Sequence, residues 1–326
     1  MARNVHLCFP VEQMTWPYAR STPPMHRLPN PPKLPVITAS ETRSRGLVRS
    51  EKARSLAVLL VVLVAVASNS SMLWADDHTP AVHESTIAGD FCVHGASPAR
   101  ARMILDHAAT LRRDAFSQLL GESAPNRWLV RCEIHVHASA ESFAQAVGGP
   151  AADARGATSL EFSGERVIMR RIDVMGDGPA IVPDAIDHEL VHVVLADHFV
   201  HAAPPRWADE GLALLFDSSE KQRAHEADFQ DARRRGLAWT AADLLSMEEY
   251  PADAARQRVF YGQSAALVRW LIARHDAATF IRFLDDAAVV GIDIALDRHY
   301  ALSSLASVSS AWKEVAPINS LGLSDR

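Results

Sequence analysis

The residues with the clearest chemical potential are two histidines separated by three positions, with a glutamate beside the first. They form the segment His188-Glu189-Leu190-Val191-His192. On a helix, positions i and i+4 project from one face, one turn apart, so both imidazoles can bind one metal ion. Glu189 then lies beside the first ligand, where its carboxylate can accept a proton from water activated by the metal. The pattern indicates a hydrolytic metal site.

A third ligand is needed, because catalytic zinc usually takes three protein ligands and leaves one position for water. His198 lies ten residues after His188, a spacing that provides a ligand when a glycine between them lets the chain turn back. That position is Leu195, inside an apolar run. We therefore expect the helix to continue and to carry His198 away from the metal.

Glu210 is the second candidate for the third ligand. It lies in the segment Pro205-Arg206-Trp207-Ala208-Asp209-Glu210-Gly211. Pro205 suits the start of a helix, and the eighteen residues after His192 leave room for a loop and an antiparallel return. An isolated glutamate near a helix start is commonly solvent-exposed, but a carboxylate entering a buried helix needs a cation. We predict that Glu210 completes a set of metal ligands with His188 and His192.

These two segments resemble the gluzincin zinc metallopeptidases, and among them the broad group of "peptidase MA" domains with HExxH and WxxEG motifs. The segment Phe260-Tyr261-Gly262-Gln263-Ser264 is similar to a tyrosine-plus-serine segment that those domains carry downstream, where we expect it to open a helix. The resemblance covers residues 85–315 and is sharp only over 188–192 and 207–211. It implies a zincin-like fold, one Zn²⁺ per chain, and Tyr261 as a donor to the oxyanion. It does not imply aminopeptidase activity, because no Gly-rich exopeptidase motif is evident.

Several roles around the metal remain open at this stage. The alternative for Tyr261 is an aromatic at a helix start that packs on the core, and His225 and His275 are weaker candidates for the oxyanion donor. Residues that could orient the imidazoles are Asp184, Asp187 and Asp209, and their order of preference is undetermined. A second metal site could be imagined from four further histidines, for which we prefer an exposed, polar role: His135, His137, His198 and His201.

The composition is that of a soluble globular protein, with 48% hydrophobic and 22% charged residues. The net charge of −6 is unevenly distributed: residues 1–55 hold nine Lys/Arg and three Asp/Glu, and the remainder holds 24 and 36. The body therefore carries −12 and offers no basic surface to follow a phosphate backbone. We expect a peptide or protein substrate and no nucleic acid.

The N-terminal region divides into two predicted segments. Residues 1–47 are rich in Pro, Arg, Ser and Thr, and we interpret them as disordered or as a gene-model extension. Residues 48–75 have a basic flank, a twelve-residue apolar run over 56–67 and small residues after it, which is typical of a signal peptide. We therefore predict export to the periplasm, the cell envelope or the medium. An uncleaved anchor is the alternative, and it would be the chain's only contact with a membrane.

The elements that must position the site are predicted from hydrophobic periodicity. Strands are expected over 85–94 and 128–137, a hairpin over 158–162 and 166–172, and helices over 98–120 and 142–147. From Pro183 onward the pattern is almost entirely helical. The predicted fold is α+β: a small mixed sheet with helices, zincin-like, followed by a mostly helical C-terminal half, in one domain over 85–315.

Two cysteines, Cys92 and Cys132, lie in the predicted domain. In an exported protein they could form a disulfide, and two small buried thiols are an equally good interpretation. They form no CxxC pair, which makes them poor metal ligands by spacing alone.

Two classes of function are compatible with these residues. The first is an exported zinc metallopeptidase in which Glu189 is the general base. The second is a catalytically inactive, metal-stabilised domain that binds peptides or envelope partners. Glu189 favours the first, since binding alone does not require that carboxylate. A membrane-tethered intracellular protein with an accidental HExxH is disfavoured by the segment Trp207–Gly211.

Overall fold

A computed structural model describes residues 3–7, 85–125, 127–148 and 154–313 of the chain. Six strands of the described residues form one small mixed sheet. They are β1 (Arg3–Leu7), β2 (Thr86–Ala88), β3 (Phe91–His94), β4 (Cys132–His137), β5 (Gly156–Ser163) and β6 (Arg166–Met175). Their order is β1-β5-β6-β4-β3-β2, with β4 parallel to β3 and β6 and the other pairs antiparallel.

Helices make up most of the second half of the described chain. The first two belong to the sheet region: α1 (Pro98–Ala115), which continues into a π-helical turn (Phe116–Leu120), and α2 (Ala140–Val147). The others are α3 (Ile186–His198), α4 (Arg206–Leu214), α5 (Ser219–Arg234), α6 (Ala241–Leu245), α7 (Ala254–Arg274), α8 (Ala277–Val290), α9 (Ile292–Tyr300) and α10 (Leu305–Lys313). The predicted α+β class, with a mixed sheet before a helical half, is confirmed.

Two apolar clusters meet at helix α3. Leu190 and Val194 of this helix join the cluster formed by α1 and one face of the sheet. Val191 and Leu195 join a second cluster built from α4, α7, α8 and α9. Because α3 is covered on both sides, His188, Glu189 and His192 are buried as well, and each needs a polar partner or an ion.

The predicted elements were largely correct, with three differences. The strand expected over 85–94 is a hairpin, because Gly89 adopts a φ of 55° and turns the chain between β2 and β3. The strand expected over 128–137 begins at Cys132, and its inward and outward residues alternate as predicted. The segment around Tyr261 lies inside α7 and does not open it, because that helix begins at Ala254.

Cys92 and Cys132 are free and buried. Phe91 pairs with Cys132 in the β3–β4 register and shares its apolar cluster, whereas Cys92 pairs with Glu133. Adjacent residues of a strand point to opposite faces. The two thiols therefore lie on opposite sides of the sheet, and the interpretation as buried thiols is the correct one.

The predicted signal peptide over 48–75 and nearly all of the predicted extension over 1–47 lie outside the described residues. Within the described ranges, no helix has both the length and the apolar character that crossing a bilayer requires.

Candidate metal centre

Two consecutive helices bring the three predicted ligands together. His188 and His192 lie one turn apart on α3, and Glu210 comes from the first turns of α4. The Oε2 atom of Glu210 lies 3.3 Å from Nε2 of His188 and 4.0 Å from Nε2 of His192. The candidate ligand atoms of all three residues lie within 4.8 Å of one another.

The chemistry of this group fits a bound cation. His188, His192 and Glu210 are all buried, with exposures of 9%, 2% and 1%. Nε2 of His192 is buried and makes no hydrogen bond to any described residue. Such an atom is costly to bury unless it has a partner, and a metal ion would provide one. Two imidazoles and a carboxylate are a donor set that suits zinc.

The far side of each imidazole faces an aspartate. Nδ1 of His192 lies 3.0 Å from Oδ1 of Asp209, and Nδ1 of His188 lies 3.4 Å from Oδ2 of Asp217. An ionised carboxylate can only accept a hydrogen bond, so each Nδ1 carries a proton. The lone pair of a neutral ring is then on Nε2, the atom that faces Glu210.

Of the three predicted orienting aspartates, only Asp209 contacts a ligand. Asp187 pairs with His107 of α1, and Asp184 is exposed, with its backbone oxygen accepting a hydrogen bond from Lys221. Asp217, which performs this role for His188, was not predicted. It follows α4 by three residues, and no local pattern distinguishes it from a surface acid.

The electrostatics of the centre favour positive charge. Burial lowers the pKa of His192, but the neighbouring Asp209 outweighs this effect and raises it to about 9. For His188, burial also opposes protonation, yet hydrogen bonds with Asp217 and Glu210 hold its pKa well above the ordinary value. Burial raises the pKa of Glu210, but the two histidines overcome that and keep it low. The carboxylates thus create a buried site with a strong preference for a cation.

Glu189 is held beside the ligands by the sheet. Oγ1 of Thr158, on β5, lies 2.8 Å from Oε2 of Glu189 and can donate to it. Burial raises the pKa of Glu189, and the adjacent His188 and His192 only partly offset the increase. A raised pKa makes a carboxylate a stronger base, which helps it to accept a proton.

Tyr250 is a further contact of the centre that the sequence did not reveal. Its hydroxyl donates to Oε1 of Glu210 at 2.5 Å. The guanidinium of Arg206 lies over the Tyr250 ring, 4.5 Å from its centroid. Tyr250 precedes α7 in an irregular segment, so no periodic pattern indicates that it faces inward. One oxygen of Glu210 is thereby fixed, and the other faces the imidazoles.

The three candidates for the oxyanion donor lie in two different places. Tyr261 and His225 lie together, with ring centroids 5.9 Å apart, and Tyr261 also lies 6.5 Å from Tyr250. Burial, and then the charges of Glu210 and Glu189, raise the pKa of Tyr261 well above its usual value, so its hydroxyl stays protonated. His275 is exposed at the end of α7 and packs against Tyr300.

The four histidines considered for a second metal site lie outside this centre, and of the four only His201 is exposed as expected, since His135, His137 and His198 are half-buried. His198 pairs with Asp285 of α8 at 2.9 Å, because α3 continues through Leu195 as expected. His137 pairs with Asp173, His201 is exposed, and His135 stacks on His94.

No protein-family model matches the chain, and no curated protein sequence matches it either. The functional interpretation therefore rests on the residues and their geometry.

Proposed function

We propose that this protein is an exported zinc metallopeptidase that hydrolyses peptide bonds. The observation that carries the proposal is the convergence of His188, His192 and Glu210, with Glu189 buried beside them. When bound, Zn²⁺ supplies a Lewis acid that acidifies water and polarises a carbonyl group. The gluzincin resemblance of the same residues supports this reaction class.

The chain's own groups supply the proton transfers and the orientation. Glu189 takes a proton from the attacking water, a step that its raised pKa favours, and delivers it to the leaving amine. Tyr261 keeps its hydroxyl proton and donates a hydrogen bond to the developing oxyanion. Asp209 and Asp217 hold the two imidazoles with Nε2 toward the site.

A peptide or protein is the proposed substrate. The net charge of the body is −12, which opposes binding to nucleic acid. The HExxH motif favours peptides as substrates. The predicted signal segment favours action outside the cytoplasm.

The deciding measurement is metal content combined with proteolysis. We expect the full chain to bind a zinc ion at this centre. The variants His188→Ala and Glu210→Ala should lose that ion. Glu189→Gln should retain the zinc and lose hydrolysis of a fluorescent casein and of a mixed quenched-peptide library. Zinc bound with no cleavage of either substrate would instead favour the metal-stabilised binding domain. Zinc retained at full stoichiometry in Glu210→Ala would refute the ligand assignment.

A further inference from the structure

A second set of metal-ligating side chains lies on the sheet, on the face opposite α1 and α3. In the parallel β3–β4 register, Cys92 pairs with Glu133 and His94 pairs with His135. Their neighbours Phe91, Val93, Cys132 and Ile134 belong to the apolar cluster on the α1 side. Since side chains alternate along a strand, the four polar or thiol residues share the other face.

Three of these residues bring different ligand atoms to one point. Sγ of Cys92 lies 3.3 Å from Nε2 of His94, and the same Nε2 contacts the carboxylate of Glu133. One candidate atom from each residue lies within 4.8 Å of those of the other two. Ligands that each lie about 2.0 to 2.3 Å from one ion are separated by roughly 3 to 4 Å. The distance between Cys92 and His94 is of this size, and the carboxylate of Glu133 would turn away from the ring to bind the same ion.

An ordinary ion pair between His94 and Glu133 accounts for only part of this arrangement. The ion pair does not explain why the thiol of Cys92, a residue only 4% exposed, lies against Nε2 of His94. His135 stacks on the ring of His94 at 4.4 Å, with an interplanar angle of 14°, and so restricts the orientation of the imidazole. Neighbouring groups that orient a ligating imidazole are a general feature of metal sites.

We propose that Cys92, His94 and Glu133 bind a second metal ion, Zn²⁺ or another thiophilic divalent cation. A thiolate, an imidazole and a carboxylate are all zinc ligands, and the sulfur favours a soft or borderline metal over Mg²⁺ or Ca²⁺. Cys92 and His94 lie on β3 and Glu133 on β4, so the ion ties these strands together next to the edge strand β2. This site is separate from the proposed hydrolytic centre and does not depend on it.

Sulfur ligation provides a readout that the first centre cannot produce. The full chain would be loaded with Co²⁺ in place of zinc, and thiolate-to-cobalt charge-transfer absorption would be measured in the near ultraviolet. The donors at His188, His192 and Glu210 contain no sulfur, so this absorption reports cobalt bound to a thiolate and excludes the first centre as its source. Elemental analysis of the zinc-loaded chain should show two equivalents, falling to one in Cys92→Ala and in His188→Ala.

Matched variants test which thiol is responsible. The chain has three cysteines, so Cys8→Ala and Cys132→Ala serve as controls that should keep the absorption. Cys92→Ala should abolish it, His188→Ala should retain it, and Glu133→Gln should weaken cobalt binding. Glu133 is about two-fifths exposed, so this last variant is expected to fold. Absence of the absorption in the wild type, or its survival in Cys92→Ala, would overturn the proposal.

Discussion

Gly156 on β5 lies directly against the carboxylate of Glu189, and a Cβ added to it would stand 2.6 Å from Oε1. The same Cβ would lie 2.8 Å from Cβ of Ala185, so the neighbouring atoms would have to move to make room for it. The carboxylate, at the end of a flexible side chain, is the group free to move. We predict that Gly156→Ala displaces Glu189, retains zinc and reduces hydrolysis at least ~100-fold, because small misplacements of a catalytic group have effects of this size.

Gly178→Ala is the matched control, since the one described atom near its added Cβ belongs to Arg155, at an ordinary 3.8 Å. It should leave hydrolysis and metal content unchanged. Near wild-type proteolysis by Gly156→Ala, with an intact fold by circular dichroism, would argue against Glu189 as the base in the position observed.

The two aspartates behind the ligand imidazoles should govern metal affinity. Asp209 and Asp217 contact Nδ1 of His192 and His188, and removing such partners typically costs 10- to 100-fold in affinity, roughly. We predict this loss for Asp209→Ala and Asp217→Ala in competition with a fluorescent zinc chelator. Asp184→Ala is the control, because its side chain is exposed and contacts neither imidazole. Equal affinities in all three variants would contradict the role assigned to these aspartates.

Two neighbouring tyrosines should have separable effects. The hydroxyl of Tyr250 donates to Glu210, so Tyr250→Phe is expected to weaken zinc binding. Tyr261→Phe should leave zinc affinity unchanged and lower kcat by roughly 100-fold or more, as expected when a donor to an oxyanion is lost. The pair is compared by chelator competition and by steady-state cleavage of a peptide. A loss of kcat in Tyr250→Phe alone, with full activity in Tyr261→Phe, would reverse the two assignments.

Local patterns predicted the parts of the site that lie on one helix. The spacing of His188 and His192, and the apolar residues around them, indicate a buried helix with two imidazoles on one face. Leu195 in place of a glycine correctly excluded His198, which the continuing helix carries to Asp285. The alternation of Cys132, Ile134 and Val136 likewise predicted a strand with one buried face.

Contacts between distant segments could not be predicted in this way. Asp217 and Tyr250 occupy short connections, where neither a period of 3.6 nor one of 2 applies, and their partners lie 29 and 40 residues earlier. The grouping of Cys92 with Glu133 depends on the parallel register of β3 and β4, two strands that α1 and a loop separate along the chain. Spacing along the chain carries little information about such pairs, because tertiary packing places them together.

The position of α3 should depend on a buried charged network at its C-terminal end. Asp197 accepts hydrogen bonds from Arg170 of β6 and from the indole of Trp128. Two guanidinium groups lie over the Trp128 ring, that of Arg112 at 4.4 Å and that of Arg170 at 4.7 Å from its centroid. Arg170 is only 5% exposed at its side chain, so it cannot recover the interaction with solvent.

We predict that Asp197→Ala lowers the free energy of unfolding by about 3 kcal/mol or more, since it leaves a buried arginine without its partner. Urea unfolding followed by tryptophan fluorescence measures the change. Asp285→Ala is the matched control, because it also removes a carboxylate that contacts α3, through His198, but in a half-exposed pair. A pair of that kind contributes up to about 1 kcal/mol. Similar stabilities for the two variants would show that the Arg170–Asp197 pair is not what secures the helix that carries His188 and His192.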